Sequence, residues 1–224
     1  MRTTTRTTHI LRLPRYRLGA RLYDVLSAER IVYRAGREAA IDLLELEPGD
    51  RVLIVGCGTG LDVPLVLDAI GPSGEVVGVD RSTAMLRQAR RKARRADWGN
   101  VTLLAADAAE LSGVDGEFDA VMFTYSLSVI DDWTSAWRSG TGRLRPGGKV
   151  SIVDTDLPTG HGRLLIPLAM LALWTGKVDR HRRVWRLVDQ HADSYAHRTL
   201  LHGHIHVAVG AFKDAPLQQT EVLR

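Results

Sequence analysis

The sequence predicts an α/β fold, a doubly wound and mostly parallel sheet with helices on both faces. Three observations predict it. Short β-rich apolar runs alternate with helical patterns, one strand ends directly in Gly56-Cys-Gly-Thr-Gly60, and polar residues follow the ends of successive strands. At 224 residues the chain has the size of one large domain.

Over residues 16–46 apolar positions recur at three and four (Leu22, Val25, Leu26, then Ile31, Val32, Ala35, Ala39, Leu43), which is helical spacing. Glu47-Pro-Gly-Asp50 ends that stretch. Arg51-Val-Leu-Ile-Val55 is a strand, and residues 61–70 are helical. Gly71-Pro-Ser-Gly74 turns the chain into a strand over 75–79, closed by Asp80, and a helix follows over 82–95. Strands over 101–104 and 118–123 lead to Asp107 and to Thr124-Tyr-Ser126. A helix over 132–144 and the turn Pro146-Gly-Gly148 precede a fifth strand over 149–153. Residues 161–176 read as helix, extended or followed by another over 180–190. Residues 195–212 alternate as β-structure broken at Gly203, so an antiparallel pair is expected to close the sheet.

A hydrophobic fraction of 45% and a charged fraction of 25% exclude a disordered or fibrous chain. One cysteine, Cys57, excludes a disulfide framework and a cysteine-based zinc site, and suits a cytoplasmic location. The longest apolar run, residues 164–174, falls short of the roughly 20 residues a membrane helix needs. The N-terminus has no apolar core like that of a secretory signal and is expected to be retained.

Charge is unevenly placed. Residues 1–37 hold nine arginines against Asp24 and Glu29, a balance of +7 within a formal total of +4. Residues 1–35 therefore read as a basic arm with helices, and 36–224 as the main domain. Such an arm suits an anionic membrane face, nucleic acid, an acidic patch on its own fold, or plain solvation. The basic run over 87–95 alternates with alanines and reads as a solvated helix face.

Glycines at 56, 58 and 60 bend the backbone with nothing projecting from Cα, so a ligand can lie against the peptide N–H groups and the next helix N-terminus. The dinucleotide pattern Gly-x-Gly-x-x-Gly is not met, because the third glycine comes one residue early. Asp80 stands where a carboxylate accepts from ribose hydroxyls, and Asp107 where one accepts from an exocyclic amine of adenine. Thr124, Tyr125 and Ser126 would line the pocket where chemistry occurs.

Val52-Leu-Ile-Val-Gly-Cys-Gly-Thr-Gly-Leu-Asp62, Val76-Val-Gly-Val-Asp80, Ala106-Asp107, the run Phe118 to Ser126 and Leu144-Arg-Pro-Gly-Gly-Lys-Val150 together resemble the successive motifs of class I S-adenosylmethionine-dependent methyltransferases. The resemblance covers about residues 36–154. It implies a Rossmann-like seven-stranded sheet whose last strand is antiparallel and lies beside the fifth. It implies S-adenosylmethionine as cofactor, held by Gly56, Cys57, Gly58, Gly60, Asp62, Asp80, Arg81, Asp107, Ala108, Thr124 and Tyr125. Among these, the glycines lie under the methionine part, Asp62 near its amine, Asp80 at the ribose, and Asp107 with Ala108 at the adenine.

Tyr125 is the first candidate catalytic residue, since an aromatic face stabilises a developing ammonium. The expected reaction is in-line methyl transfer to a small-molecule or lipid acceptor, an amine being one choice. Tyr125-Ser-Leu-Ser-Val-Ile-Asp-Asp-Trp133 and Tyr33-Arg-Ala-Gly-Arg37 are similar to bacterial N-methyltransferases of lipid headgroups. No metal is expected, and nucleic acid is not expected as a partner. The rivals are a nucleotide-cofactor oxidoreductase and a catalytically silent module binding cofactor or nucleic acid. His202, His204 and His206 alternate and are expected to share one strand face, as a polar outer surface or, less favoured, as a base.

Overall fold

The computed structural model describes residues 33–160 and 182–214. The arm up to residue 32, the run over 164–174 and the helix expected over 161–176 lie outside the described residues.

The elements follow in chain order: α1 (Arg34–Leu44), β1 (Arg51–Val55), α2 (Val63–Ile70), β2 (Glu75–Val79), α3 (Thr83–Arg95), β3 (Val101–Leu104), β4 (Phe118–Thr124), α4 (Trp133–Thr141), β5 (Leu144–Thr155), α5 (Arg186–His191), β6 (Ser194–Leu200) and β7 (Ile205–Ala211). One 3-10 turn, Leu127–Val129, lies between β4 and α4. The seven strands run in the order β3-β2-β1-β4-β5-β7-β6. Strands β1 to β5 pair in parallel, and β7 runs antiparallel to both β5 and β6. The sheet expected from the resemblance is therefore the sheet observed.

Strand composition follows position. Val52 to Val55 of β1 and Val76 to Val79 of β2 are buried along their length, as central parallel strands covered on both faces must be. Alternate residues feed two cores. Leu53, Val55, Val121, Phe123 and Ile152 pack with Trp137 of α4 and with Trp185 and Val188 at α5. Val52, Ile54, Val76 and Met122 pack with Leu44, Val66 and Leu86 of α1, α2 and α3.

Local signals set the ends of the helices. Ser82 caps α3 by accepting from Met85 N, and Asp132 caps α4 by accepting from Ser135 N. Lys149 Nζ donates to the Leu44 carbonyl at 2.9 Å, satisfying the last turn of α1.

Three expectations are corrected. The Pro146-Gly-Gly148 turn does not precede β5 but forms a bulge inside it. Phe118 pairs with Leu144 and Ala120 with Lys149, so the four residues 145–148 of β5 stand against Asp119 alone of β4. The bulge persists because its backbone finds partners on Phe212: Gly147 N donates to Phe212 O at 2.7 Å, and Phe212 N to Gly148 O at 3.0 Å. The helix expected to run to residue 144 stops at Thr141, because Leu144 is already paired in the sheet.

The three histidines do not share a face. The hairpin between β6 and β7 turns at residues 201–204, with Leu201, His202 and Gly203 all at positive φ. Only His206 lies on β7. His202 is exposed. His204 is buried and donates from Nδ1 to the Asp156 carbonyl at 2.6 Å. His206 stacks on Trp185 with centroids 4.0 Å apart. Among the described residues no histidine, cysteine or carboxylate cluster has the arrangement of a metal site.

Candidate functional site

The strand order reverses between β1 and β4, since the chain builds outward to β3 and then returns to the other side of β1. A crevice at the carboxyl ends of those two strands follows from that topology. Gly56 and Ser126 meet there. A Cβ on Gly56 would stand 2.5 Å from Ser126 Cβ, and the Ser126 hydroxyl donates to the Val55 carbonyl at 2.8 Å. Gly56 also has φ of 75°, so both space and conformation demand glycine.

The glycine loop is tied down from β2. Gly56 N and Cys57 N both donate to the Val79 carbonyl, at 2.8 and 2.9 Å. Asp80 continues the same attachment: Oδ2 accepts from Gly58 N at 2.8 Å, and Oδ1 from Ser82 N at 2.7 Å. Burial pushes the Asp80 carboxyl above its usual range, while the two amides pull the other way. Each oxygen keeps a lone pair free for a further donor. Gly58, at φ of 54°, faces open space, because a Cβ built there meets nothing within 4 Å. Cys57 is buried in the turn, and burial with the nearby carboxylates of Asp80 and Asp62 raises its thiol far above the ordinary range. It is therefore a packed, unreactive thiol.

Asp80 and Asp107 lie on the same edge. Val79 pairs with Leu104, and Asp80 N donates to the Leu104 carbonyl at 3.2 Å, so both carboxylates follow the ends of adjacent strands. Asp107 is exposed and accepts from Ala109 N at 2.9 Å, with Ala108 between them half-buried. Arg81 is exposed and pairs loosely with Asp131 at 3.4 Å.

Asp62 is differently engaged. It is 3% exposed, and Arg37 Nη1 donates to both its oxygens at 2.8 and 2.9 Å. The same guanidinium lies 5.1 Å from the centroid of the Tyr125 ring. Tyr125 adopts φ of 52° directly after β4, a left-handed conformation unusual for a residue with a side chain. Its hydroxyl donates to the Tyr33 carbonyl at 3.0 Å and its amide to the Val153 carbonyl at 2.7 Å. The Thr124 hydroxyl is buried with no hydrogen-bond partner among the described residues.

Sequence reasoning placed the glycine loop, Asp80, Asp107, Thr124 and Tyr125 on one rim, and the structure brings them there. It missed Arg37 as the counter-ion of Asp62. The available signal was Gly36, a glycine inside a helical pattern, which marks close approach of another element. It also missed Asp154, a carboxylate after an apolar strand run, the same pattern that singled out Asp80.

Residues 52–148 match the family model described as a methyltransferase domain. This stretch of the chain is similar to methyltransferase domains. Among curated proteins, the domain is 35% identical over 122 residues to a demethylmenaquinone methyltransferase of Listeria welshimeri, covering 54% of this chain and 52% of that one. It is 33% identical over 136 residues to a demethylmenaquinone methyltransferase of Bacillus cytotoxicus, covering 61% and 56%. The chain thus spans about half the length of the curated relatives it matches. A SAM-dependent methyltransferase from Aquifex aeolicus superposes with a TM-score of 0.60 at 15% identity, over 87% of this chain and 97% of that one. The N-methyltransferase NodS of Bradyrhizobium japonicum superposes with 0.58 at 14%, over 83% and 99%. At those identities the methyltransferase-domain structures share the fold alone.

Proposed function

We propose that the protein transfers a methyl group from S-adenosylmethionine to a small or lipid-like acceptor. The observation that carries this is the joint attachment of the glycine loop and Asp80: one carboxylate holds Gly58 N and Ser82 N at the switch-point crevice and keeps lone pairs for a ligand. The residues present fit the cofactor, because Gly58 opens on empty space and Thr124 presents a buried hydroxyl without a partner among the described residues.

When bound, S-adenosylmethionine supplies a methyl carbon already activated on a sulfonium, so the protein need only bind, orient and exclude water. Asp80 would hold the ribose, Asp107 and Ala108 the adenine, and the loop from Gly56 to Gly60 the methionine part, with Cys57 filling the turn beneath. Arg81, exposed at the rim, would flank the ribose side. Arg37 neutralises Asp62 next to that loop, and its guanidinium also suits the methionine carboxylate. Tyr125, fixed in a left-handed conformation, would line the path of the methyl group.

The relatives' names favour a quinone-class acceptor over the lipid amine suggested by the sequence around Tyr125. The arginine-rich arm would bring the protein to an anionic membrane surface, where apolar acceptors dissolve. No helix among the described residues is long and apolar enough to cross a membrane.

Calorimetric titration with S-adenosylhomocysteine and with NAD tests the cofactor assignment. Binding of the first is expected, and heat from NAD alone would overturn it in favour of an oxidoreductase. Transfer of labelled methyl onto a panel of quinols, amines and lipids then identifies the acceptor, and flotation with anionic liposomes tests the arm.

A further inference from the structure

Asp154 lies at the carboxyl end of β5, beside Tyr125, whose amide bonds the Val153 carbonyl. It is 1% exposed. Oδ1 accepts from Thr155 N at 2.7 Å, whereas Oδ2 is buried with no hydrogen-bond partner among the described residues. Ser128, in the turn after β4, is near enough for both its hydroxyl and its backbone N–H to favour the charged carboxylate, although the hydroxyl closes no hydrogen bond among the described residues. A buried polar atom left unpaired has given up its hydration without a replacement partner. Three such atoms, those of Thr124, Ser128 and Asp154, gather at the carboxyl ends of β4 and β5, where ligands of open α/β sheets bind.

The surroundings are apolar and aromatic. Residues two apart on a strand share a face, so Asp154 stands above Ile152, which pairs with Phe123. Across the ladder it pairs with His206, whose ring is stacked on Trp185.

We propose that Asp154, with Ser128 beside it, is the proton acceptor on the acceptor side of the site, serving an aromatic hydroxyl. The proposal rests on the methyltransferase assignment above and names the group that activates the acceptor. As the O–H bond breaks, its proton moves to Asp154 Oδ2. The electron pair left on that oxygen forms the new bond to the methyl carbon. The carbon–sulfur bond breaks with its pair going to sulfur. One carboxylate charge and one sulfonium charge are consumed together, so charge balances. The proton then leaves to solvent.

The charge environment suits this task. Burial pushes the Asp154 carboxyl up to about 6, with Asp156 adding to the rise and the Ser128 and Thr155 groups opposing it. A base of that strength is a better proton acceptor near neutrality than an ordinary aspartate. His206 faces it from β7, and Arg183, ahead of α5, pairs with Asp156 at 3.6 Å.

The test compares the full-length wild type with Asp154→Asn and Asp154→Glu. The probes are S-adenosylhomocysteine for binding, and labelled S-adenosylmethionine with 1,4-dihydroxynaphthalene, kept reduced under argon, for transfer. Asp154→Asn is expected to bind S-adenosylhomocysteine within about twofold of wild type, while kcat falls by about 100-fold or more and KM changes little. Wild-type kcat should rise through pH 6 and then level, a step that Asp154→Asn lacks and Asp154→Glu partly restores. Wild-type kcat retained in Asp154→Asn overturns the proposal, as does a wild type that binds S-adenosylhomocysteine but transfers nothing to the diol. A wild type that fails to bind S-adenosylhomocysteine removes the cofactor assignment, and this proposal with it.

Discussion

Arg37 and Asp62 form an ion pair in which one guanidinium nitrogen bonds both carboxylate oxygens, with the two side chains only 9% and 4% exposed. The pair clamps α1 to the start of α2 and to the glycine loop. Removing one partner leaves a buried charge uncompensated, which costs roughly 3–5 kcal/mol. Arg37→Met should therefore lower the urea midpoint sharply, whereas Arg37→Met with Asp62→Leu should recover most of the loss. Equal losses in the single and double variants would show that the charge is not what matters.

Gly36 sits against the Tyr125 side chain. A Cβ there would run into the Tyr125 hydroxyl and would approach Ile205 and Val153 at 2.9 and 3.0 Å. Glycine to alanine in a helix ordinarily stabilises by about 0.5–1 kcal/mol. Here the sign reverses, and Gly36→Ala should destabilise by about 1–3 kcal/mol through overpacking. Tyr125→Phe in the same chain, which removes the obstructing oxygen, should return part of that loss, so chemical denaturation of the two singles and the double should be non-additive.

Asp80→Asn leaves one acceptor oxygen where Gly58 N and Ser82 N now use two. One backbone N–H loses its partner and the loop loosens. Affinity for S-adenosylhomocysteine should fall by roughly 1–3 kcal/mol in calorimetry. Unchanged affinity would remove Asp80 from the site.

His206 and Asp154 give the stability opposite pH slopes. Burial, and then the neighbouring His197, hold His206 down to about 4, so the unfolded chain takes its proton first, near 6.5. The stability His206 contributes is complete above that value and is lost as pH falls toward 4. Asp154 is raised from 3.8 to about 6, so its contribution is complete below 3.8 and is lost as pH rises through 6. His206→Phe keeps a ring on Trp185 and removes the first effect. The drop in Tm between pH 7 and pH 4.5 should be smaller in this variant than in wild type. An unchanged drop would assign the acid sensitivity elsewhere.

Most of the fold was legible because its signals are local. A continuous apolar run such as Val52 to Val55 announces a strand covered on both faces, and Gly203 marked the break between β6 and β7. The site was legible where a strand end fixes it: Asp80, Asp107 and Tyr125 each follow a strand in sequence. The histidines were misread because alternation was extended through a turn, where left-handed residues reset the direction of every side chain.

The sequence by itself determined the strand–helix order, the glycine loop after β1 and the carboxylates after β2 and β3. Those are written in neighbouring residues, through burial patterns and backbone freedom. Only the tertiary structure decided that Arg37 answers Asp62 across 25 positions, that Gly36 makes room for Tyr125 and that Asp154 keeps one oxygen unpaired. Hydrogen bonds and excluded volume act over a few ångströms in space, and chain separation carries no record of which distant residues will come that close.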